Sequence, residues 1–171
     1  MATTTPALKA TAERLARGFI HRLTPLLGTP TRVVCPSDEA EQVVIVAMTQ
    51  AAAAQGMPSE VIDLRPAPAE RLDAITARMD GLKGRATDND HQPVQRLLIL
   101  LGFDVFGDDT QDAPIYPFRS YFQFDRKFLW LFVGRDASRM QYLFDSYRRP
   151  LYDAAGDITP AEWRPSDHPG R

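Results

Sequence analysis

Residues 96–103, RLLILLGF, predict the strongest strand of the chain and decide its fold. Their apolarity is continuous rather than alternating, which indicates a strand that is buried on both faces. Residues 128–133, FLWLFV, form a second run of the same kind. Strands of this kind are typical of parallel sheets covered by helices on each side, so these two runs predict the centre of such a sheet.

Shorter elements alternate on either side of these two strands. Apolar residues at spacings of three and four between residues 8 and 26 predict an N-terminal amphipathic helix. The other predicted elements are strands at residues 31–35 and 60–64, helices at residues 38–55, 67–79, 116–124 and 137–148, and a polar loop at residues 81–93. This order predicts an α/β fold: a single three-layer domain whose mostly parallel sheet has about four to five strands, with helices on both faces.

The helix at residues 38–55 has a competing interpretation, because its middle, VVIVAM, has strong strand propensity. Ser37 or Asp38 can cap a helix at this point, and Gly56 can end it. The four alanines at residues 51–54 continue the helical segment. We therefore predict a helix.

The chain divides into three predicted regions. Residues 1–28 form the N-terminal helix that packs on the core, and residues 29–153 form the α/β core domain. Residues 154–171 are polar and rich in proline, which predicts a C-terminal tail.

Composition and charge narrow the classes of function. The 171 residues carry a net charge of -2, which gives no global attraction to nucleic acid or to an anionic membrane. No 18-residue apolar run is present, so we predict no membrane span and a cytoplasmic location. The charge is uneven, however: residues 59–114 hold 11 acids and 6 bases, a net of -5, and residues 115–152 hold 3 acids and 7 bases, a net of +4.

Two of the predicted strands and their exits resemble the core of P-loop NTPases of the AAA+/STAND type. RLLILLGFD, residues 96–104, resembles a Walker B strand in which Asp104 is the acid at the exit. KFLWLFVGRD, residues 127–136, is similar to the next strand of that family, where a polar sensor residue lies near the end. SRMQYLFDSYRRPLYD, residues 138–153, is similar to the helix and turn that follow. The resemblance covers residues 32–153 and implies a nucleotide-binding fold.

The turn after the first strand departs from that family's phosphate-binding motif. A Walker A loop, G-x-x-x-x-G-K-[ST], surrounds phosphates with backbone amides and neutralises them with its lysine. Laid on CPSDEAEQ, the motif positions fall on Cys35, Ala40, Glu41 and Gln42. Both glycines are missing, and Glu41 replaces the lysine. Two like charges about 4 Å apart cost roughly 4 kcal/mol at an effective dielectric constant near 20, so we predict no ATP hydrolysis and no cofactor here.

Two enzymatic alternatives use residues at the ends of strands. Cys35 precedes a helix N-terminus, which lowers the pKa of a thiol and resembles the arrangement in thiol peroxidases, although three nearby carboxylates oppose that effect. Asp104 lies where α/β proteins place ligands, and an acid-dependent hydrolase could use it. The acidic cluster that follows comprises Asp104, Asp108, Asp109 and Asp112. Its spacing matches no calcium loop, so we predict no metal site.

Arginine and aromatic residues alternate within residues 115–152. This composition is typical of surfaces that bind proteins or single-stranded nucleic acid. The predicted partner-binding residues are Tyr116, Phe118, Arg119, Arg126, Lys127, Arg135, Arg139, Arg148 and Arg149.

The leading prediction is a non-catalytic adaptor or regulatory subunit with a degenerate nucleotide site. It would bind a protein partner, such as an ATPase subunit, in an ATP-driven bacterial complex for defence, secretion or DNA processing. The alternatives are a thiol-dependent redox enzyme that uses Cys35 and a nucleic-acid-binding module that uses residues 115–152.

Overall fold

The structure, a computed structural model, describes residues 5–23, 30–83, 96–108, 115–124 and 128–164. The helices are α1 (Pro6–Leu23), α2 (Asp38–Ala54), α3 (Pro68–Lys83), α4 (Ile115–Phe124) and α5 (Ala137–Asp145). The strands are β1 (Thr31–Val34), β2 (Ser59–Asp63), β3 (Arg96–Leu101), β4 (Phe128–Gly134) and β5 (Gly156–Asp157). Short 3₁₀ helices follow β3, at Phe103–Phe106, and β5, at Ala161–Trp163.

The five strands form one parallel sheet in the order β2-β3-β4-β1-β5. The strands β3 and β4 are the two runs that the sequence places at the centre, and they pair with Ile99 opposite Leu131. Their buried residues alternate between the two faces, which confirms that both faces are covered. The predicted α/β class and three-layer arrangement are therefore confirmed.

Each face of the sheet carries its own apolar cluster. On one face, α3, α4 and α5 pack against side chains that include Leu98, Trp130 and Phe132. On the other face, α1 and α2 pack against side chains that include Ile99 and Leu131. Burying side chains of this size in two layers is the main stabilising contribution to such a fold.

The stretch VVIVAM is helical, as predicted, because it lies within α2. The helix begins after Ser37, whose Oγ accepts a hydrogen bond from the amide of Ala40 at 3.1 Å. It ends before Gly56, which adopts a left-handed conformation with φ of 69°. Ser37, rather than Asp38, is the capping residue.

Several predicted boundaries differ from the structure. The helix predicted to reach residue 148 ends at Asp145, since Ser146 is extended and the chain turns before Pro150. Residues 81–83 belong to α3 rather than to the predicted loop, and residues 84–95 lie outside the described residues. Within the region predicted as a tail, β5 pairs with β1 at the edge of the sheet.

Within the described ranges, no helix combines the length and the apolar character that a membrane span requires.

Candidate functional site

The candidate site lies at the carboxyl edge of the sheet, where the exits of β1, β4 and β3 lie side by side. In the turn after β1, the amide of Cys35 donates to the carbonyl of Gly134 at 2.9 Å. The amide of Glu41 donates to the carbonyl of Ser37 at 3.0 Å, and the amide of Ala40 is bonded to the Ser37 hydroxyl. These three backbone amides thus donate to the protein itself and are not free to bind a phosphate.

Glu41 is the central residue of this site. It lies in the first turn of α2, and only 2% of the residue is exposed. Its carboxylate accepts a hydrogen bond from Arg65 Nη2 at 3.0 Å, and Arg135 Nε lies 3.6 Å from its other oxygen. A buried carboxylate is tolerated when cations and hydrogen bonds compensate for its lost hydration, and these two guanidinium groups do so.

Each of the two arginines has a further carboxylate partner. Arg65 donates to both oxygens of Asp63, at 2.8 and 2.9 Å, and Arg135 forms an ion pair with Asp38. We call Asp38, Glu41, Asp63, Arg65 and Arg135 the Glu41 network. It links the turns after β1, β2 and β4, and it brings three carboxylates together with two guanidinium groups.

Arg65 reaches Glu41 by crossing the exit of β3. A Cβ added to Gly102 would lie 2.3 Å from Arg65 Cγ, so the aliphatic part of Arg65 lies directly on this glycine. Gly102 also has a positive φ of 69°, a conformation that glycine adopts without strain. This close approach allows a side chain from the β2 exit to reach α2.

The pKa values of two carboxyl groups of the network are shifted in opposite directions, for different reasons. Burial raises the pKa of Glu41, and this effect exceeds the opposing attraction of Arg65. Hydrogen bonding from Arg65 lowers the pKa of Asp63. The same contacts raise the pKa of Arg65, which therefore stays charged.

Cys35 lies next to this network but is fully buried. Burial raises the pKa of its thiol to about 12, and the negative charge of Glu41 adds to the effect while Arg135 opposes it. The nucleophilic form of cysteine is the thiolate, so the thiol at neutral pH is in its unreactive, protonated form. Glu41 is one of the carboxylates that were predicted to oppose the effect of the helix N-terminus on this thiol.

Asp104 does not lie directly at the end of β3. It belongs to the 3₁₀ helix Phe103–Phe106, it is half-buried, and its Oδ2 accepts a hydrogen bond from the amide of Asp136 at 3.0 Å. This bond joins the β3 exit to the turn between β4 and α5. Asp108 is exposed, whereas Asp109 and Asp112 lie outside the described residues. In the described part of the chain, no group of three or more histidine, cysteine or acidic residues could hold a metal ion.

The predicted partner-binding residues fall into different environments. Phe118 is fully buried in the core, and 5% of Arg149 is exposed, so neither side chain lies on the surface that was predicted for it. Phe118 faces inward because it packs edge-on against Trp130, and Arg149 donates to the carbonyl of Phe106 at 3.1 Å. Tyr116, by contrast, is exposed.

The remaining arginines of that set are more accessible. Arg119 is half-buried and donates to the carbonyl of Pro150, and Arg148 is exposed. Arg135 and Arg139 lie near the carboxyl edge of the sheet, where Arg139 Nε lies 3.6 Å from Asp136. Arg126 and Lys127 lie outside the described residues.

Sequence reasoning missed Arg65 and Asp63. Asp63 is the last residue of the short edge strand β2, and Arg65 follows that strand. Neither residue belongs to a recognisable sequence motif. Their position at the exit of a parallel strand is the signal that could have pointed to this edge of the sheet, because the exits of parallel strands share one side. That Arg65 reaches α2 depends on the close approach at Gly102, which sequence spacing does not predict.

The fold is similar to solved structures that include a Walker-type ATPase and two ORC proteins. The Walker-type ATPase PABY2304 of Pyrococcus abyssi matches with a TM-score of 0.55 and 12% identity, over 86% of this chain and 52% of that one. The ORC2 protein of Aeropyrum pernix in its ADP form matches with a TM-score of 0.52 and 17% identity, over 86% of this chain and 46% of that one. The ORC1 protein of the same organism, in complex with DNA, matches with a TM-score of 0.55 and 10% identity, over 91% of this chain and 45% of that one.

The chain spans about half the length of these three proteins. No protein-family model matches the sequence, and no curated protein matches it. At these identities the likeness concerns the fold. The resemblance of the sequence is therefore confirmed at the level of the fold, a parallel α/β core similar to the cores of these proteins.

Proposed function

We propose that this protein is a non-catalytic adaptor or regulatory subunit that binds a protein partner in an ATP-driven complex. The observation that carries the proposal is the position and burial of Glu41. It stands at the Walker A lysine position of the sequence, and it is buried between Arg65 and Arg135. In a Walker-type site, the lysine at that position binds the phosphates of the nucleotide.

Three features support the loss of phosphate chemistry. The turn after β1 lacks both glycines of the motif, and its amides at Cys35, Ala40 and Glu41 donate to protein oxygens. The cations of the Glu41 network already have carboxylate partners. No glutamate follows Asp104 to activate water, and its carboxylate is bonded to a backbone amide.

The binding role is inferred from the fold, which is kept although the residues for phosphate binding and hydrolysis are absent. An ATPase-like core that keeps its sheet and helices can still pack against a neighbouring subunit. Arg139, exposed at the carboxyl edge of the sheet, could face an ATPase partner. The thiol-enzyme alternative receives no support from Cys35, because a buried thiol with a pKa of about 12 is protonated at neutral pH.

Two measurements on the purified protein and on its native host test the proposal. The protein should hydrolyse no ATP above a heat-inactivated control. It should also co-purify with an ATPase in fixed stoichiometry, and Arg139→Glu should weaken that association while Lys9→Glu, on the exposed side of α1, leaves it unchanged. Arg135→Glu is unsuitable here, because it would also remove a partner of Glu41. Turnover of ATP, or the absence of any ATPase that co-purifies with the protein, would overturn the proposal.

A further inference from the structure

An aromatic surface lies around the turn that follows α5. Four tyrosines are exposed there: 60% of Tyr116, 39% of Tyr142, 71% of Tyr147 and 46% of Tyr152. We call these four tyrosines together with Arg148 the tyrosine surface. Large exposed aromatic side chains that cluster are uncommon on surfaces that contact only water, and they are enriched where proteins bind one another.

Contacts between three elements bring these residues together. Arg119, one turn of α4 beyond Tyr116, donates to the carbonyl of Pro150. The guanidinium of Arg149 lies 4.6 Å from the centre of the Tyr142 ring, so α5 also contacts this turn. Tyr147 and Tyr152 flank the same short segment. The surface is thus formed jointly by α4, α5 and residues 146–154.

Backbone hydrogen bonds and a buried leucine hold the turn in place. The amide of Arg149 donates to the carbonyl of Ser146 at 2.9 Å, and the amide of Asp153 donates to Phe144 at 2.9 Å. Leu151 is fully buried in the core beneath it. A surface that is already ordered loses little conformational entropy when a partner binds, and tyrosine contributes a large contact area with few rotatable bonds.

The exposed side chain of Arg148 indicates the chemistry of a partner, and among the described residues the exposed Asp153 of the same segment forms no ion pair with it. Arg148 stacks on Tyr147 with its Cζ 5.4 Å from the ring centre, and its Nε donates to the Tyr147 hydroxyl at 2.9 Å. Among the described residues, Arg148 forms no ion pair. The nearby Asp145 does not compete for it, because that carboxylate is bonded to Arg32 at 2.8 Å. Arg148 is therefore available to an external carboxylate.

We propose that the tyrosine surface binds an acidic segment of a protein partner, with a carboxylate paired to Arg148 and apolar atoms packed on the tyrosine rings. This inference rests on the proposed binding function and names the partner's chemistry. A single-stranded nucleic acid fits less well, since it needs several cations along its backbone. Here Arg149 is buried and Arg119 is bonded to a carbonyl, so Arg148 is the cation that the tyrosine surface presents to solvent.

Site-specific crosslinking in the native host tests this proposal on the full-length chain. The photoreactive residue p-benzoylphenylalanine is placed at position 147 and, as a matched control, at the exposed Val46 on α2. We expect a discrete protein adduct from position 147 and none from position 46. Arg148→Glu should lower the yield about tenfold, and reversing the charge of the contacted acid in the partner should restore it.

The outcomes separate this inference from the proposed function. A nuclease-sensitive adduct, no adduct at position 147, or a yield unaffected by Arg148→Glu in a variant with unchanged thermal stability overturns the inference. An ATPase adduct obtained from position 139 but not from position 147 would leave the proposed function intact and remove this surface from it. ATP turnover would overturn the proposed function while leaving a charge-dependent adduct at position 147 in place.

Discussion

Glu41 is a buried carboxylate between two guanidinium groups, so removing a cation should cost more stability than neutralising the carboxylate. Arg65→Met leaves a buried charge short of a partner, and we expect it to lower the free energy of unfolding by about 3 kcal/mol. Glu41→Gln should cost less, about 1 kcal/mol, because burial already raises the pKa of this carboxyl and disfavours its charged form. The double variant should recover most of the loss from Arg65→Met, as measured by urea denaturation.

Arg78→Met is the matched control, since Arg78 pairs with Glu60 near the surface at 2.7 Å. Exposed pairs of this kind contribute about 0–1 kcal/mol. Equal costs for Arg65→Met and Arg78→Met would show that the Glu41 network is an ordinary surface cluster.

Cys35 should be unreactive in the native protein. Its thiol is fully buried and its pKa is raised to about 12, so at neutral pH we expect a disulfide reagent to modify it only when the protein unfolds. Because it is the single cysteine, reagent absorbance reports on it directly, and urea-unfolded protein provides the fast reference. Rapid modification of the folded protein at pH 7 would contradict this prediction and support the thiol-enzyme alternative.

The sequence predicted part of this chemistry. The position of Glu41 in the Walker A alignment and its effect on Cys35 follow from residue order alone. The pairing of Glu41 with Arg65 and Arg135 does not, because those residues are distant in sequence and meet only through the parallel sheet. The prediction that this turn repels phosphate was based on its acidic residues alone. It did not include the arginines that pair with them in the structure.

At the level of elements, the exit of β3 controls whether Arg65 can reach α2. Gly102→Ala adds a methyl group 2.3 Å from Arg65 Cγ at a φ of 69°. Gly56→Ala is a matched control, since Gly56 has the same φ but nothing within 4 Å of an added Cβ. We expect Gly56→Ala to cost about 1 kcal/mol from backbone strain alone, and Gly102→Ala to cost about 2 kcal/mol more in thermal or urea unfolding. Similar costs at both positions would contradict the close packing of Arg65.

The elements that the sequence predicted best are those with the strongest apolar signal. The strands β3 and β4 begin where predicted, since continuous apolar runs have few alternative structures. The edge strand β5 was missed because Gly156–Asp157 is polar and only two residues long. Its place depends on tertiary contacts: the Thr159 hydroxyl accepts from the amide of Val34 at 2.9 Å, and Trp163 is buried on the α1–α2 face.

At the scale of the whole molecule, acid should destabilise the fold through carboxylates that are ionised and paired. Hydrogen bonds from arginines lower the pKa values of Glu60 and Asp63 in the folded state. Such groups stabilise the fold above their unfolded pKa values, and this stabilisation is lost as pH falls through the folded ones. Glu41 has a raised pKa and acts in the opposite direction.

We therefore expect the Glu60→Gln/Asp63→Asn variant to lose less stability than the wild type between about pH 5 and about pH 3. Both side chains are partly exposed, so the difference should be modest. Thermal unfolding at a series of pH values measures it, and Glu13→Gln on α1 is a control with an exposed i,i+4 pair. A variant that follows the wild-type pH profile would show that these ion pairs do not persist in solution.

The whole-molecule architecture was more predictable than the site. Alternating strands and helices specify a covered parallel sheet, and the fold is similar to that of a Walker-type ATPase of Pyrococcus abyssi. What the site can bind depends on a few charged side chains at one edge of that sheet. The net charge of these side chains is set by tertiary contacts. The same fold can therefore hold a phosphate or the carboxylate of Glu41 at this edge.

Titration calorimetry with ATP and with ADP, each with and without Mg²⁺, tests the central claim most directly. Because the Glu41 network occupies the edge of the sheet beside Cys35, we predict no saturable heat for either nucleotide with the wild-type protein. Tight, magnesium-dependent binding that Glu41→Gln or Arg135→Met alters would contradict the claim.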